Sequence, residues 1–138
     1  MTKGNIANTV SGALYRHLFT TFKAEGLPVN STAGYPRVEI VSVTEGEWQD
    51  KGGQLRTATV TVDSMSAASQ MEAIELNERV VEAIKDTDTS VPGISEGIGF
   101  EIVGVAETSV SMSEDYVETQ LQSYRLTLTI KLIILQTS

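Results

Sequence analysis

Hydrophobic and polar positions alternate in two distinct periods along the chain. From Asn5 to Ala24, Ile6, Val10, Leu14, Leu18 and Phe22 recur every four residues, with Ala13 alongside. That spacing predicts a first helix, capped by Thr2 or Asn5 and stopped by Gly26 and Pro28. From Arg37 to Thr44 the chain is rich in β-branched residues and predicts a strand that opens at Tyr35-Pro36. Val38 and Ile40 point one way and Val41 and Val43 the other. Either both faces are partly covered, or a bulge near Ile40-Val41 switches the inward face. Glu45 to Gln54 carries Gly46, Asp50, Gly52 and Gly53 and predicts a long hairpin loop. Leu55 to Asp63 then alternates strictly, with Ala58, Val60 and Val62 on the buried face.

A second helix follows almost without a linker, from Ser66 or Ser69 to Lys85. Ser69 and Glu72 fit a capping box. Ala67, Ala73, Ile74, Leu76, Val80, Val81, Ala83 and Ile84 sweep an apolar arc of roughly 200°, whereas packing on one sheet needs only about 100°. The excess implies a second buried side, against the first helix or against a neighbouring subunit. Leu76, Val80 and Ala83 are the candidates for the neighbour-facing side, with Arg79 at its rim. Glu75 and Arg79 are spaced for a solvated i,i+4 pair.

Thr87 to Gly99, with Pro92, Gly93 and Gly97, predicts a long crossing loop within one domain. Phe100 to Met112 predicts a third strand, with Val103 and Val105 on one face, Ile102 on the other and a bulge at Gly104. Gln120 to Leu135 is the clearest strand. Tyr124, Leu126, Leu128, Ile130, Leu132 and Ile134 face inward; Arg125, Thr127, Thr129 and Lys131 face outward. It exceeds the usual strand length. It therefore spans a strongly curved sheet or pairs with another chain. The expected fold is α+β: one domain over residues 1–138, with a four-stranded antiparallel sheet and two helices packed on one face.

Charge and composition narrow the function. Eighteen acidic against ten basic residues give a formal charge of -8, the wrong sign for binding phosphates by counterion release. Such a surface can still line a path along which DNA passes without sticking. The absence of cysteine excludes disulfides and thiolate catalysis. The first residues lack the apolar core of a signal peptide, and Leu126–Leu135 is too short to cross a membrane as a helix; the protein is expected to be made in a cytoplasm.

Catalytic chemistry is not indicated. The single histidine, His17, lies within the first helix with no nucleophile–base context, and zinc would need further His or Cys ligands. Asp86, Asp88 and Ser90 imitate the start of a calcium loop, but Val91 and Gly97 stand where glycine and a bidentate glutamate are required. Gly97-Ile98-Gly99 precedes a strand, so it is no phosphate-binding loop. We expect no enzyme, no metal and no cofactor. In the hairpin, Glu45, Glu47, Trp48 and Asp50 form the candidate partner-contact loop. The lone tryptophan there either folds back onto the core or anchors a partner.

Tyr35-Pro36-Arg37-Val38-Glu39-Ile40, then Glu45-Gly46-Glu47-Trp48, then Leu55 to Val62 and the closing Tyr124-Arg125-Leu126-Thr127-Leu128 resemble the tail-terminator proteins of long-tailed bacteriophages, also called tail-completion or minor tail proteins. The resemblance is one of order, spacing and residue character over most of the chain. It implies a structural protein of the virion tail, assembled in the host cytoplasm. Such a protein forms a hexameric ring that caps the tail tube, ends tube polymerisation and provides the surface that joins the head. The implied partners are further copies of the chain, the major tail tube protein and the head–tail connector, with DNA passing through unbound. The alternative, from the α+β pattern alone, is a ferredoxin-like regulatory module that binds a small molecule.

Overall fold

The computed structural model describes residues 10–29, 34–48, 55–87, 89–92 and 99–136. The elements are α1 (Val10–Ala24), β1 (Arg37–Trp48), β2 (Leu55–Ser66), α2 (Gln70–Asp86), β3 (Ser90–Pro92), β4 (Gly99–Val117) and β5 (Gln120–Gln136). The strands form one antiparallel sheet in the order β1-β2-β5-β4-β3. The α+β class, the two helices and the antiparallel pairing match the sequence. The strand number does not: the sheet has five strands, because Ser90–Pro92 in the expected crossing loop pairs with Gly99–Glu101. Val91 and Phe100 enter the core there. A three-residue strand is too short to show a period, so the alternation that identifies the longer strands was silent.

The core lies between one face of the sheet and the helices. The inward row of β5 (Leu126, Leu128, Ile130, Leu132, Ile134) meets Ala58, Val60 and Val62 of β2. α2 packs over β2 and β5, and α1 over β1 and β3. From α1, Leu14, Leu18 and Phe22 are buried; from α2, Ala73, Leu76, Val80, Ala83 and Ile84. The wide apolar arc of α2 is thus used within the subunit, since α1 packs beside it. Arg79 does not pair with Glu75; its guanidinium donates to the carbonyl of Glu25 at 3.3 Å and ties α2 to the end of α1.

Bulges in β1 and β4 set which residues face the core. The register of β1 on β2 shifts between Ile40 and Ser42. Val38 and Ile40 are therefore buried, Val43 packs against the core, and Val41 is exposed. On β4 shifts lie between Ile102 and Gly104 and between Val105 and Glu107, so the extra residues are Val103, adjacent to the glycine expected to mark it, and Ala106. Ile102 pairs with Ile134 and Val105 with Leu132, both inward residues. Ile102 and Val105 consequently share the core-side face, which corrects the expected grouping of Val103 with Val105.

The start of α2 is a modified capping box. The hydroxyl of Ser69 accepts from the Glu72 amide at 3.0 Å, as S-x-x-E predicts. The carboxylate of Glu72 takes the hydroxyl of Ser66 at 2.5 Å, and that oxygen accepts from the amides of Ala68 and Ser69. Ser66 thereby couples the end of β2 to the first turn of α2. Replacing Ser69 by alanine is expected to lower unfolding free energy by about 1 kcal/mol. Leu128→Ala, at a fully buried site in the middle of the sheet, should cost about 2–5 kcal/mol. Urea denaturation of the two variants checks both values and their order.

Candidate assembly surface

The sheet is wider than its helical cover. Neither helix lies over the length of β4. α2 touches it at its two ends, through Gln70 beside Met112 and through Ile84 and Lys85 near Ile102–Val105. In the regular run from Glu107 to Asp115, each β4 residue stands opposite one β5 residue. Thr108, Val110 and Met112 oppose the inward residues Ile130, Leu128 and Leu126. They lie on the core-side face; Thr108 and Val110 have no helix above them, Met112 meets only Gln70 at the start of α2, and Val110 and Met112 are exposed to 49% and 40%. Val103, Val105, Tyr116 and Val117 are also exposed. Clustered apolar exposure of this kind marks interaction surfaces.

The opposite face of the sheet is held by charge. Asp63 of β2 is buried and accepts from Arg125 Nη1 at 2.5 Å and from the hydroxyl of Thr127 at 2.8 Å. Arg125 Nε reaches Asp115 of β4 at 3.1 Å, and Asp115 accepts from Ser123 as well. Partial burial opposes the charge on Arg125, but the hydrogen bonds and attraction of Asp115 and Asp63 outweigh it and raise its pKa above the usual guanidinium value. This network fixes β2, β5 and β4 in register across three strands. At the hairpin tip, Tyr116 donates to Glu114 at 3.0 Å. That hydrogen bond and the adjacent carboxylate raise the phenol pKa.

The sequence-predicted contact loop is shifted by the structure. β1 continues through Glu45, Glu47 and Trp48, so these are strand residues, and Asp50 lies outside the described residues. Glu45 is ion-paired with Arg56 on the facing strand, and it accepts from the amide and hydroxyl of Ser11 at 3.3 and 3.4 Å. It joins the start of α1 to β1. Gly46 explains how the strand passes through a glycine: a Cβ there would lie 2.2 Å from the Thr57 hydroxyl oxygen. The loop reading failed because glycine and acidic residues are ordinary turn signals, and a facing arginine and a close neighbour overrode them.

The α2 positions are also corrected. Leu76, Val80 and Ala83 are buried within the subunit and cannot form a neighbour-facing surface, while Arg79 is exposed. Residues of β4 beyond Met112 and the uncovered row itself went unpredicted. Their signal was alternation of valine and methionine with serine over Ser109–Ser113, which a buried strand shares. Sequence period reports that a strand has an apolar face, not whether a helix covers it. Among the described residues no cluster of three or more His, Cys, Asp or Glu is placed to hold a metal ion. A groove between the end of α1 and α2 is lined by Glu25, Glu75, Glu78, Glu82 and Asp86 around Arg79, along with Leu27, Val81 and Ala83, and holds no nucleophile–base pair.

A carboxylate at Val80 enters the core itself. Val80→Glu should cost several kcal/mol and abolish the cooperative unfolding transition, whereas Arg79→Ala should stay within about 1 kcal/mol. On the outer face, Asp63→Ala strips a buried acceptor from Arg125 and Thr127 and should cost about 2–3 kcal/mol, more than Asp115→Ala. Chemical denaturation ranks the four; near-equal losses for Asp63 and Asp115 would refute the ranking.

Comparison of the chain with protein-family models and with curated proteins finds no match.

Proposed function

We propose that this protein is a structural assembly component of a long-tailed bacteriophage. It acts as a tail terminator that caps the tail tube, ends its polymerisation and offers the surface to which the head is joined. It works as a ring of copies, hexameric by the resemblance of its sequence pattern, with the tube protein on one side and the head–tail connector on the other. The observation that supports it is a sheet that outruns its own helices and leaves a row of valine and methionine for contact with other chains. An assembly subunit needs such a surplus; a self-sufficient monomer does not. The charge of -8 suits a lumen that DNA slides through. No helix of the described residues is long and apolar enough to cross a membrane.

In this reading the β1–β2 hairpin, with Glu45, Glu47, Trp48 and Asp50, meets the tube. Ring contacts fall on surfaces that the core leaves open, such as Tyr15, Tyr35 and Val41 on the α1–β1 side. The protein works through contact alone, with no catalytic residue and no cofactor. The test is to add purified protein to tail tubes that elongate without a terminator. Tubes of limited length, with ring-shaped density at one end in negative stain, are the expected outcome. Tubes that elongate unchanged with bare ends would remove the proposal.

A further inference from the structure

β3 covers the outer edge of β4 only at Gly99–Glu101, and the amide of Ile102 donates to the Thr89 carbonyl at 2.7 Å. From Val103 to Val117 no strand of the described residues borders that edge. Proteins guard such edges with lysine, proline, bulges or short length, because an open row of backbone donors and acceptors recruits another strand. β4 is bulged between Ile102 and Gly104 and between Val105 and Glu107, and its register shifts again between Asp115 and Tyr116, but the stretch between the last two has none of these guards. Thr108-Ser109-Val110-Ser111-Met112-Ser113 carries no charge and no proline, and the register is unbroken from Glu107 to Asp115. The other edge of the sheet, β1, is guarded. The Pro28 carbonyl takes the Val38 amide at 3.0 Å, and the strand is bulged between Ile40 and Ser42 and again between Glu45 and Trp48.

We propose that the free edge of β4 pairs with the same edge of a second copy, antiparallel and centred on Val110. Run length, face and charge together select that register. Register shifts between Val105 and Glu107 and between Asp115 and Tyr116 confine regular pairing to Glu107–Asp115. Centring on Val110 pairs Glu107 through Ser113 of each copy, and a centre nearer Glu107 pairs fewer residues. For the core-side faces of the two sheets to continue into one another, even-numbered residues of the central run must oppose even-numbered residues. Centring on Ser111 satisfies this but sets Glu107 against Asp115 of the second copy, a like-charge pair that destabilises. Centring on Val110 sets Glu107 against a serine, Thr108 against a methionine and Val110 against its own equivalent. The unguarded partner is therefore the identical strand, since the β1 edge is blocked in part and β3 is three residues long and ends in proline.

The product is a two-fold pair with a continuous sheet and the helices of both copies on the same face. Val110 and Met112, exposed in the single subunit, become cross-strand neighbours of apolar or uncharged groups. The α1–β1 side of each copy stays open, so this pairing uses a different surface from a head-to-tail ring contact and does not rest on the tail reading.

The chain has no cysteine, so single-cysteine variants test the register directly. With a short bis-maleimide, Val110→Cys should be captured almost completely as a covalent dimer. Glu107→Cys should not, because the two equivalent residues would lie six positions apart along paired strands, roughly 20 Å. Unmodified protein should sediment at twice the chain mass, and Val110→Lys should sediment as a folded monomer with unchanged far-UV circular dichroism. Unmodified protein that stays monomeric up to its solubility limit would overturn the pairing. So would equal capture at positions 110 and 107, or a two-chain species that survives Val110→Lys.

Discussion

The inward row of β5 holds the fold together. β5 is hydrogen-bonded to β2 on one side and β4 on the other over nearly its whole length. Leu126, Leu128, Ile130, Leu132 and Ile134 are all buried on one face, and a fully buried side chain of this size contributes about 1.5–3 kcal/mol. α2 needs this row, together with that of β2, as its floor. α1 in turn needs the flank of α2 and the edge strand β1. The Asp63–Arg125–Asp115 network does for the other face what apolar packing does for this one: it fixes the same three strands in one register, by charge.

Because the helices are centred on β2 and β5, cover is distributed unevenly. β1 has α1 above it and Pro28 at its edge. β4 has an apolar core-side row but lacks a helix over it and, beyond Ile102, a bordering strand among the described residues. A subunit arranged this way covers the β1 side of its sheet more fully than the β4 side. That asymmetry, more than any single side chain, is the observation on which the proposed assembly role rests.

Much of this was legible in the residues. The four-residue recurrence in α1, the strict alternation of β2 and β5 and the S-x-x-E start of α2 each carry one physical requirement, and each appears where expected. The bulge at Val41 was legible as one of two alternatives. What escaped depended on contacts between distant segments. β3 exists because three residues reach Gly99–Glu101. Glu45–Trp48 is strand because Arg56 holds Glu45. Leu76, Val80 and Ala83 read correctly as apolar and wrongly as neighbour-facing, since an amphipathic arc does not say which chain fills it. The reciprocal bond of the capping box moved from the Ser69 amide to Ser66, a residue outside the four-residue motif.

The bulge at Val103 gives chain length a role usually assigned to side-chain identity. Before it, Ile102 faces the core; after it, Val105 does; a second shift between Val105 and Glu107 then restores the even-numbered phase, so that Thr108, Val110 and Met112 take the core-side face while Ser109, Ser111 and Ser113 take the other. Losing that one residue would invert the distal half of the strand without changing any amino acid in it. The serine row would then take the core-side face, and the valine–methionine row would turn to the charged face with Asp63 and Arg125. In lineages of such a chain, insertions and deletions at this point would be filtered more severely than substitutions nearby, because a single step in length decides which side of the sheet is adhesive.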